Sequence, residues 1–171
     1  TSRDTLEALL ENDTKKALYV FDDINYASGA RAAALAQARA VSGDLVLGAD
    51  TMVVACGRRL GKPKNEREAY EMFSLLCGRT HSVLTGVCLI GGGKCVRACE
   101  ETLVEFGPYD DAVVSAYIRS GKPFDKAGGY GIQGPAALFV ESIEGDYNNI
   151  FGLPAAHVMQ EAKKLLKADK I

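Results

Sequence analysis

Histidine is scarce: only His81 and His157 occur in 171 residues, and they fall on different predicted elements. That excludes an HExxH helix and a Cys/His zinc cluster, both of which need ligands at short, fixed spacing. The five cysteines (Cys56, Cys77, Cys88, Cys95, Cys99) include no CxxC pair. Set in apolar surroundings, they are expected to be small core residues of a reducing compartment rather than a disulfide framework. No run approaches the ~20 consecutive apolar residues of a membrane span, and no basic-then-apolar leader opens the chain as given. The expected location is therefore cytoplasmic, with no membrane partner. A formal net charge of −2 gives no bulk positive field for nucleic acid. A Gly-x-Ser-x-Gly elbow, a Walker A loop and a dinucleotide fingerprint after a strand are missing as well.

What is present is a globular composition, 47% apolar and 25% charged, in a chain long enough for a single domain over 1–171 with a real core. The pattern predicts a helix over 4–12, a short strand over 17–21, a polar loop over 22–25 and an alanine-rich helix from Ser28 to Val41. A strand follows over 45–55. The helix after it opens at Asn65, with Glu68 three residues on, carries a stripe of Ala69, Met72, Phe73 and Leu76, and closes at Gly78. Val83–Ile90 and Cys95–Phe106 read as a hairpin around Gly91-Gly92-Gly93, taken as a turn rather than a phosphate cradle because no Lys-Ser/Thr helix start follows. A helix over 110–120, a strand over 136–143, a tight connection over 144–149 and a helix opened by Pro154 at N1 complete the chain. Helices and strands alternate irregularly, so the fold class is α/β with a mixed sheet, flanking helices and hairpins.

Two stretches carry chemistry. In Leu45–Val54 an apolar strand holds one acid, Asp50, beside Gly48 and Ala49. A carboxylate there needs a hydrogen bond, a charge or a metal to offset its desolvation, unless it only caps the strand end or closes a turn with Thr51. Lys62 and Lys64 follow around Pro63, and an acid facing a cation near a glycine suits a phosphate-and-metal site. The second stretch, Pro123–Pro135, is rich in glycine and supplies Asp125, Lys126 and Gln133. It reads either as a plain linker or as a loop whose backbone and side chains meet a ligand together. Arg31 and Arg39 lie about two turns apart and can share a helix face, or simply be solvated.

Five ordered motifs resemble the Maf family of septum-formation-inhibitor-like nucleoside triphosphate pyrophosphatases. They are Leu47-Gly48-Ala49-Asp50-Thr51, Gly61-Lys62-Pro63, Ser74-x-x-x-Gly78-Arg79-Thr80-His81-x-Val83-x-Thr85-Gly86, Asp125-Lys126-Ala127-Gly128-x-Tyr130-Gly131-Ile132-Gln133-Gly134, and Glu144-Gly145-Asp146-Tyr147-x-Asn149-x-x-Gly152-Leu153-Pro154. The resemblance runs from about residue 35 to the end. It implies a mixed α/β fold with a cleft, similar to the inosine-triphosphate pyrophosphatase architecture. It further implies hydrolysis of a nucleoside triphosphate to monophosphate and pyrophosphate with Mg²⁺ or Mn²⁺, and a homodimer. By position, Asp50 matches the proton acceptor and would also hold the metal, and Lys62 matches the lysine that reaches the phosphates. Thr51 and Gln133 match positions of substrate choice, in the pattern of the branch acting on dTTP and UTP. Lys126 is expected to join them at the substrate.

The chain departs from the family pattern near its start. The opening strand and Ser-x-Ser-Pro-Arg-Arg loop are expected to be incomplete, with Arg3 as the surviving arginine. The family's helical lysine is Arg39, which keeps the charge but changes its shape. The acidic segment reads Asp23-Ile24-Asn25-Tyr26. These changes open an alternative expectation, a catalytically silent nucleotide-binding or regulatory relative.

Overall fold

The computed structural model describes residues 23–167, with side chains from Tyr26 to Leu165. The predicted helix over 4–12, the strand over 17–21 and Arg3 lie outside the described residues. The described elements are α1 (Asp23–Arg39), β1 (Leu45–Ala55), β2 (Arg58–Leu60), α2 (Glu66–Leu76), β3 (Thr80–Gly91), β4 (Lys94–Phe106) and α3 (Asp111–Arg119). Three 3₁₀ turns follow (Lys122–Asp125, Ala127–Gly129 and Pro135–Phe139), then β5 (Val140–Glu144), α4 (Tyr147–Phe151) and α5 (Ala155–Lys167). The strands form one five-stranded sheet in the order β2-β1-β3-β4-β5. β2 runs antiparallel to β1, and β5 antiparallel to β4 with a register irregularity between Glu105 and Phe106. The mixed α/β class is what the structure shows.

Several boundaries differ from expectation for local reasons. α1 begins at Asp23, inside the segment expected to be a polar loop. The strand expected over 136–143 holds only from Val140; Pro135–Phe139 is a 3₁₀ turn, because Pro135 sets its opening and Ala137 N–H closes back on Gly134 O at 3.0 Å. The connection expected over 144–149 contains α4. Pro154 stands one residue before α5 and caps it with its carbonyl, which accepts from Val158 N–H at 2.9 Å. The α2 start follows expectation more closely. Asn65 Oδ1 accepts from Glu68 N–H at 2.9 Å, while the Glu68 carboxylate reaches Lys64 N–H at 2.8 Å, one residue before the cap.

The chain divides into two compact units. The first comprises residues up to Asp50, Thr85–Glu100 and Gly152 onward; the second comprises Thr51–Leu84 and Glu101–Phe151. In the second unit Phe73, Phe106 and Phe139 meet Tyr117 and Tyr130 in a buried aromatic cluster, with Leu76, Val104, Val114 and Ile118 around it. α2 contributes its Ala69–Phe73–Leu76 stripe, fully buried as its spacing predicts. Not every cysteine is a core residue: Cys77 and Cys88 are buried, Cys99 is intermediate, and Cys56 and Cys95 are exposed. No helix among the described residues is long and apolar enough to cross a membrane.

The first unit is built differently. Its core of Ala34, Leu35, Ala38, Val46 and Cys88 has little bulk, and it closes by letting backbones approach. Ala30, Ala34 and Ala38 recur every four residues on α1 and are almost fully buried. A Cβ at Gly48 would lie 2.0 Å from Ala34 O and 2.7 Å from Ala38 N, and one at Gly86 would lie 2.1 Å from Ala30 O. These contacts are with backbone, so no rotamer change relieves them. Gly48→Ala and Gly86→Ala are each expected to lower stability by ~1–3 kcal/mol or more. Gly61, where a Cβ meets nothing within 4 Å, should tolerate alanine within about 0.5 kcal/mol. Urea midpoints of the three variants check this, and equal midpoints would mean that α1 does not pack as described.

Candidate functional site

Asp50 is half-buried near the middle of β1. The close seating of α1 on Gly48 brings the next helical residue, Gln37, over this carboxylate, and Gln37 Nε2 donates to Asp50 Oδ1 at 3.4 Å. Arg39 lies about 200° further round α1 than Gln37. It is exposed, and its charge acts on the Cys88 thiol. The helix residue brought to the acid is thus an amide. Gln37 was not singled out from the sequence, because its place at Asp50 follows from a tertiary contact, Ala38 seated on Gly48. Arg31 is taken up locally, donating to Ser28 Oγ at 3.0 Å.

In the second unit, Lys62 and Lys64 are exposed on either side of buried Pro63. The glycine-rich stretch is bound to this segment: Gly128 N–H donates to Gly61 O at 2.9 Å. Gly128 and Gly129 both have positive φ (72° and 75°) and are buried; a Cβ on Gly128 would lie 3.0 Å from Val53 side-chain atoms. Only glycine meets both demands without strain. Lys126 passes its methylenes over Gly131, where a Cβ would come within 2.8 Å of them, and its ammonium donates to Asp125 Oδ1 at 2.6 Å. That hydrogen bond holds the Asp125 carboxyl below its ordinary pKa, and the charge of Lys62 adds to the effect. The Gly128–Gly61 hydrogen bond thus ties the loop that carries the Asp125–Lys126 pair to the segment that carries Lys62. Gln133 is exposed at the far end of the loop. Thr51 follows Asp50 on β1 and is half-buried.

Tyr130 anchors the loop from inside. Its hydroxyl lies 2.7 Å from His81 Nε2, and His81 is 3% exposed, edge-on to the Phe106 and Tyr130 rings. His81 Nδ1 has no hydrogen-bond partner among the described residues. His81 is thus a buried histidine with a single nitrogen engaged among the described residues. Burial pushes the His81 pKa down to about 4 and the Tyr130 phenol up, so a neutral imidazole holds the loop.

Among the described residues no three His, Cys, Asp or Glu side chains gather into a group that would hold a metal. Asp50 has a neutral amide beside it. A single carboxylate of this kind fits Mg²⁺ completed by phosphate oxygens and water, and does not fit a closed protein cage.

Taken together, these features define a mixed α/β protein with an acid on a sheet strand and a lysine-bearing glycine loop. A family model described as Maf-like protein matches residues 6–165; the chain belongs to the Maf family. It is 55% identical over 112 residues to the dTTP/UTP pyrophosphatase of Thermococcus gammatolerans, covering 66% of this chain and 60% of that protein. Against the dTTP/UTP pyrophosphatase of Symbiobacterium thermophilum it is 50% identical over 131 residues, 74% of this chain and 68% of the relative. Against that of Bacillus cereus strain ATCC 14579 it is 49% identical over 123 residues, 72% and 64% of the two chains. The chain thus spans about three fifths to two thirds of the length of these relatives.

The His81 environment has a consequence for pH. The folded pKa of about 4 lies below the ~6.5 of an unfolded histidine, so the unfolded chain takes up the proton first as pH falls. Stability is expected to be complete above about pH 6.5 and to fall by on the order of 3 kcal/mol towards pH 4. Urea midpoints measured across that window should drop more steeply for the unmodified chain than for His81→Phe; parallel curves would assign the loss to other groups.

Proposed function

We propose that the chain is a nucleoside triphosphate pyrophosphatase, or the larger part of one, acting on dTTP- and UTP-type nucleotides. Identity of about half to relatives named for that activity supports the reading. One structural observation supports it further: the Gly128–Gly61 hydrogen bond ties the loop bearing Lys126 to the segment bearing Lys62. Two cations on braced loops suit a polyphosphate, because phosphoryl transfer depends chiefly on positioning and electrostatic stabilisation. The family model spans both units, from residue 6 to residue 165, which supports reading 1–171 as one domain.

In this mechanism Asp50 takes a proton from the water that attacks the α-phosphorus, and Gln37 orients the carboxylate. Lys62 and Lys126 offset the charge that develops on the phosphoryl oxygens and the pyrophosphate leaving group. Arg39, and Arg3 outside the described residues, are further candidates for phosphate contact. Thr51, next to Asp50, and the exposed amide of Gln133 are assigned to the nucleobase. A divalent cation held by Asp50 and substrate phosphates would neutralise phosphate charge.

Pyrophosphate release from a nucleotide panel with Mg²⁺ tests the assignment. The expected outcome is preference for dTTP and UTP over ATP and GTP, with turnover falling ~10²–10⁴-fold in Asp50→Asn at unchanged urea midpoint. Retained activity in Asp50→Asn would remove the general-base role, and equal rates across bases would remove Thr51 and Gln133 as readers. The neutral amide beside Asp50 also favours a second reading, a silent nucleotide-binding relative, for which the panel would show binding without turnover.

A homodimer is the remaining part of the reading. The edge strands β2 and β5, three and five residues long, are where a second copy would add strand pairing. β3 and β4 are interior to the strand order. Sedimentation velocity over a concentration series is expected to show a dimer, and a monomer throughout would overturn it.

A further inference from the structure

The first unit holds a pair of nucleophilic side chains that the proposed activity does not use. Cys88 on β3 and Cys95 on β4 place their sulfurs 3.5 Å apart. The strands are joined by Gly92 and Gly93 alone, so the two cysteines sit diagonally across a tight hairpin. Their exposures are opposite: Cys88 is fully buried beneath Ala34, Leu35 and Ala38, and Cys95 is exposed.

We propose that Cys88 and Cys95 form a redox-responsive dithiol, in which Cys95 reacts first with a low-molecular-weight disulfide and Cys88 resolves the adduct into a bond across the hairpin. In the first step the Cys95 thiolate attacks one sulfur of the small disulfide, forming a mixed disulfide and releasing one thiolate. In the second, Cys88 loses its proton to solvent and attacks the Cys95 sulfur, and the second small thiolate leaves. The protein gives up two hydrogens and two electrons, and the small disulfide becomes two thiols.

The order of events follows from the surroundings. Attack needs an accessible thiolate, which selects Cys95. Burial, then the hydrogen bond to Cys95, raise the Cys88 pKa, while the charges of Arg97 and Arg39 lower it. Once Cys95 is in a mixed disulfide its thiol no longer hydrogen-bonds Cys88, so that contribution to the raised pKa is gone; burial still raises it and the charges of Arg97 and Arg39 still lower it. The sulfurs must close from 3.5 Å to about 2.05 Å, a change within reach of side-chain rotation at the glycine end of a hairpin. Cys56, by contrast, is exposed in the second unit, where Arg79 donates to its sulfur at 3.1 Å. It serves as an internal comparison, expected to stop at the mixed disulfide.

Oxidised glutathione, titrated against reduced glutathione, is the probe on the full chain. Trypsin separates the two cysteines, because Lys94 precedes Cys95 and Arg97 follows two residues later. The expected product is a cross-linked pair of peptides, 80–94 with 95–97, lighter by two hydrogens than their sum. Cys88→Ala should trap glutathione on Cys95, whereas Cys95→Ser should leave Cys88 unmodified while the protein stays folded. Should Cys88→Ala fail to fold, the Cys95→Ser result with the wild-type cross-link still decides. A wild type that keeps glutathione on Cys95 with Cys88 free overturns the proposal, as does Cys88 reacting as fast as Cys95. The proposal stands apart from the nucleotide reading, and neither result depends on turnover.

Discussion

The first unit depends on one close contact, the backbone of α1 lying against Gly48 and Gly86. Burying large side chains is the usual way to join a helix to a sheet; here Leu35 and Val46 do so, but at the points of closest approach the facing residues are alanine and glycine. What stabilises the join is dispersion between backbones at short range, and such contacts lose much of their well depth when separated by half an ångström. Tolerance is therefore low and the position of α1 is well defined. That definition sets the chemistry, because Gln37 meets Asp50 only when Ala38 is seated on Gly48. A bulkier interface would leave the helix free to slide, and the amide with it.

The second unit solves its placement problem the opposite way, with bulk inside and polar groups at the rim. The aromatic cluster holds Tyr130, Tyr130 meets a neutral His81, and the loop between them and Gly61 has little freedom left. Tyr117 adds to this: burial raises its phenol pKa, partly offset by a backbone hydrogen bond from Gly131. A loop rich in glycine is normally costly to order. Here most of that ordering is already complete, so Lys126 is presented from a braced backbone rather than a mobile one.

Much of this was legible in the sequence, and where it failed the reasons are physical. The α2 stripe and its Asn65 cap, the helix around Val114–Ile118 and the hairpin at Gly92–Gly93 follow from periodicity and turn chemistry, which act locally. Asp50 stood out because an acid in an apolar strand demands an explanation. Gln37 did not, because nothing local distinguishes it from any polar residue of an alanine-rich helix; its role arises from a tertiary contact. Burial of His81 was hidden for the same reason: its immediate neighbours, Thr80 and Ser82, are polar, and the rings that enclose it come from far along the chain. The 3₁₀ turn at Pro135–Phe139 was read as strand because its apolar content resembles one, and the governing term was the proline at its opening.

The Asp125–Lys126 pair bears on how a lysine on an exposed loop can be both ordered and available. Asp125 is largely in water, so its attraction for Lys126 is screened and contributes little to stability. It nevertheless chooses one direction for a long side chain, while the Lys126 methylenes settle over Gly131. On the proposed reading, an incoming polyphosphate would exchange one exposed oxygen partner for a more highly charged one and inherit a stem already laid along the loop. Freeing the ammonium costs little, and the rotamer entropy of the stem is lost before the ligand arrives. A buried ion pair at the same place would have held Lys126 too firmly, because separating it would strand an uncompensated charge. On that reading, surface exposure is what would let Asp125 act as a placeholder, and the charge of Lys62, which also acts on Asp125, would favour phosphate over a second carboxylate.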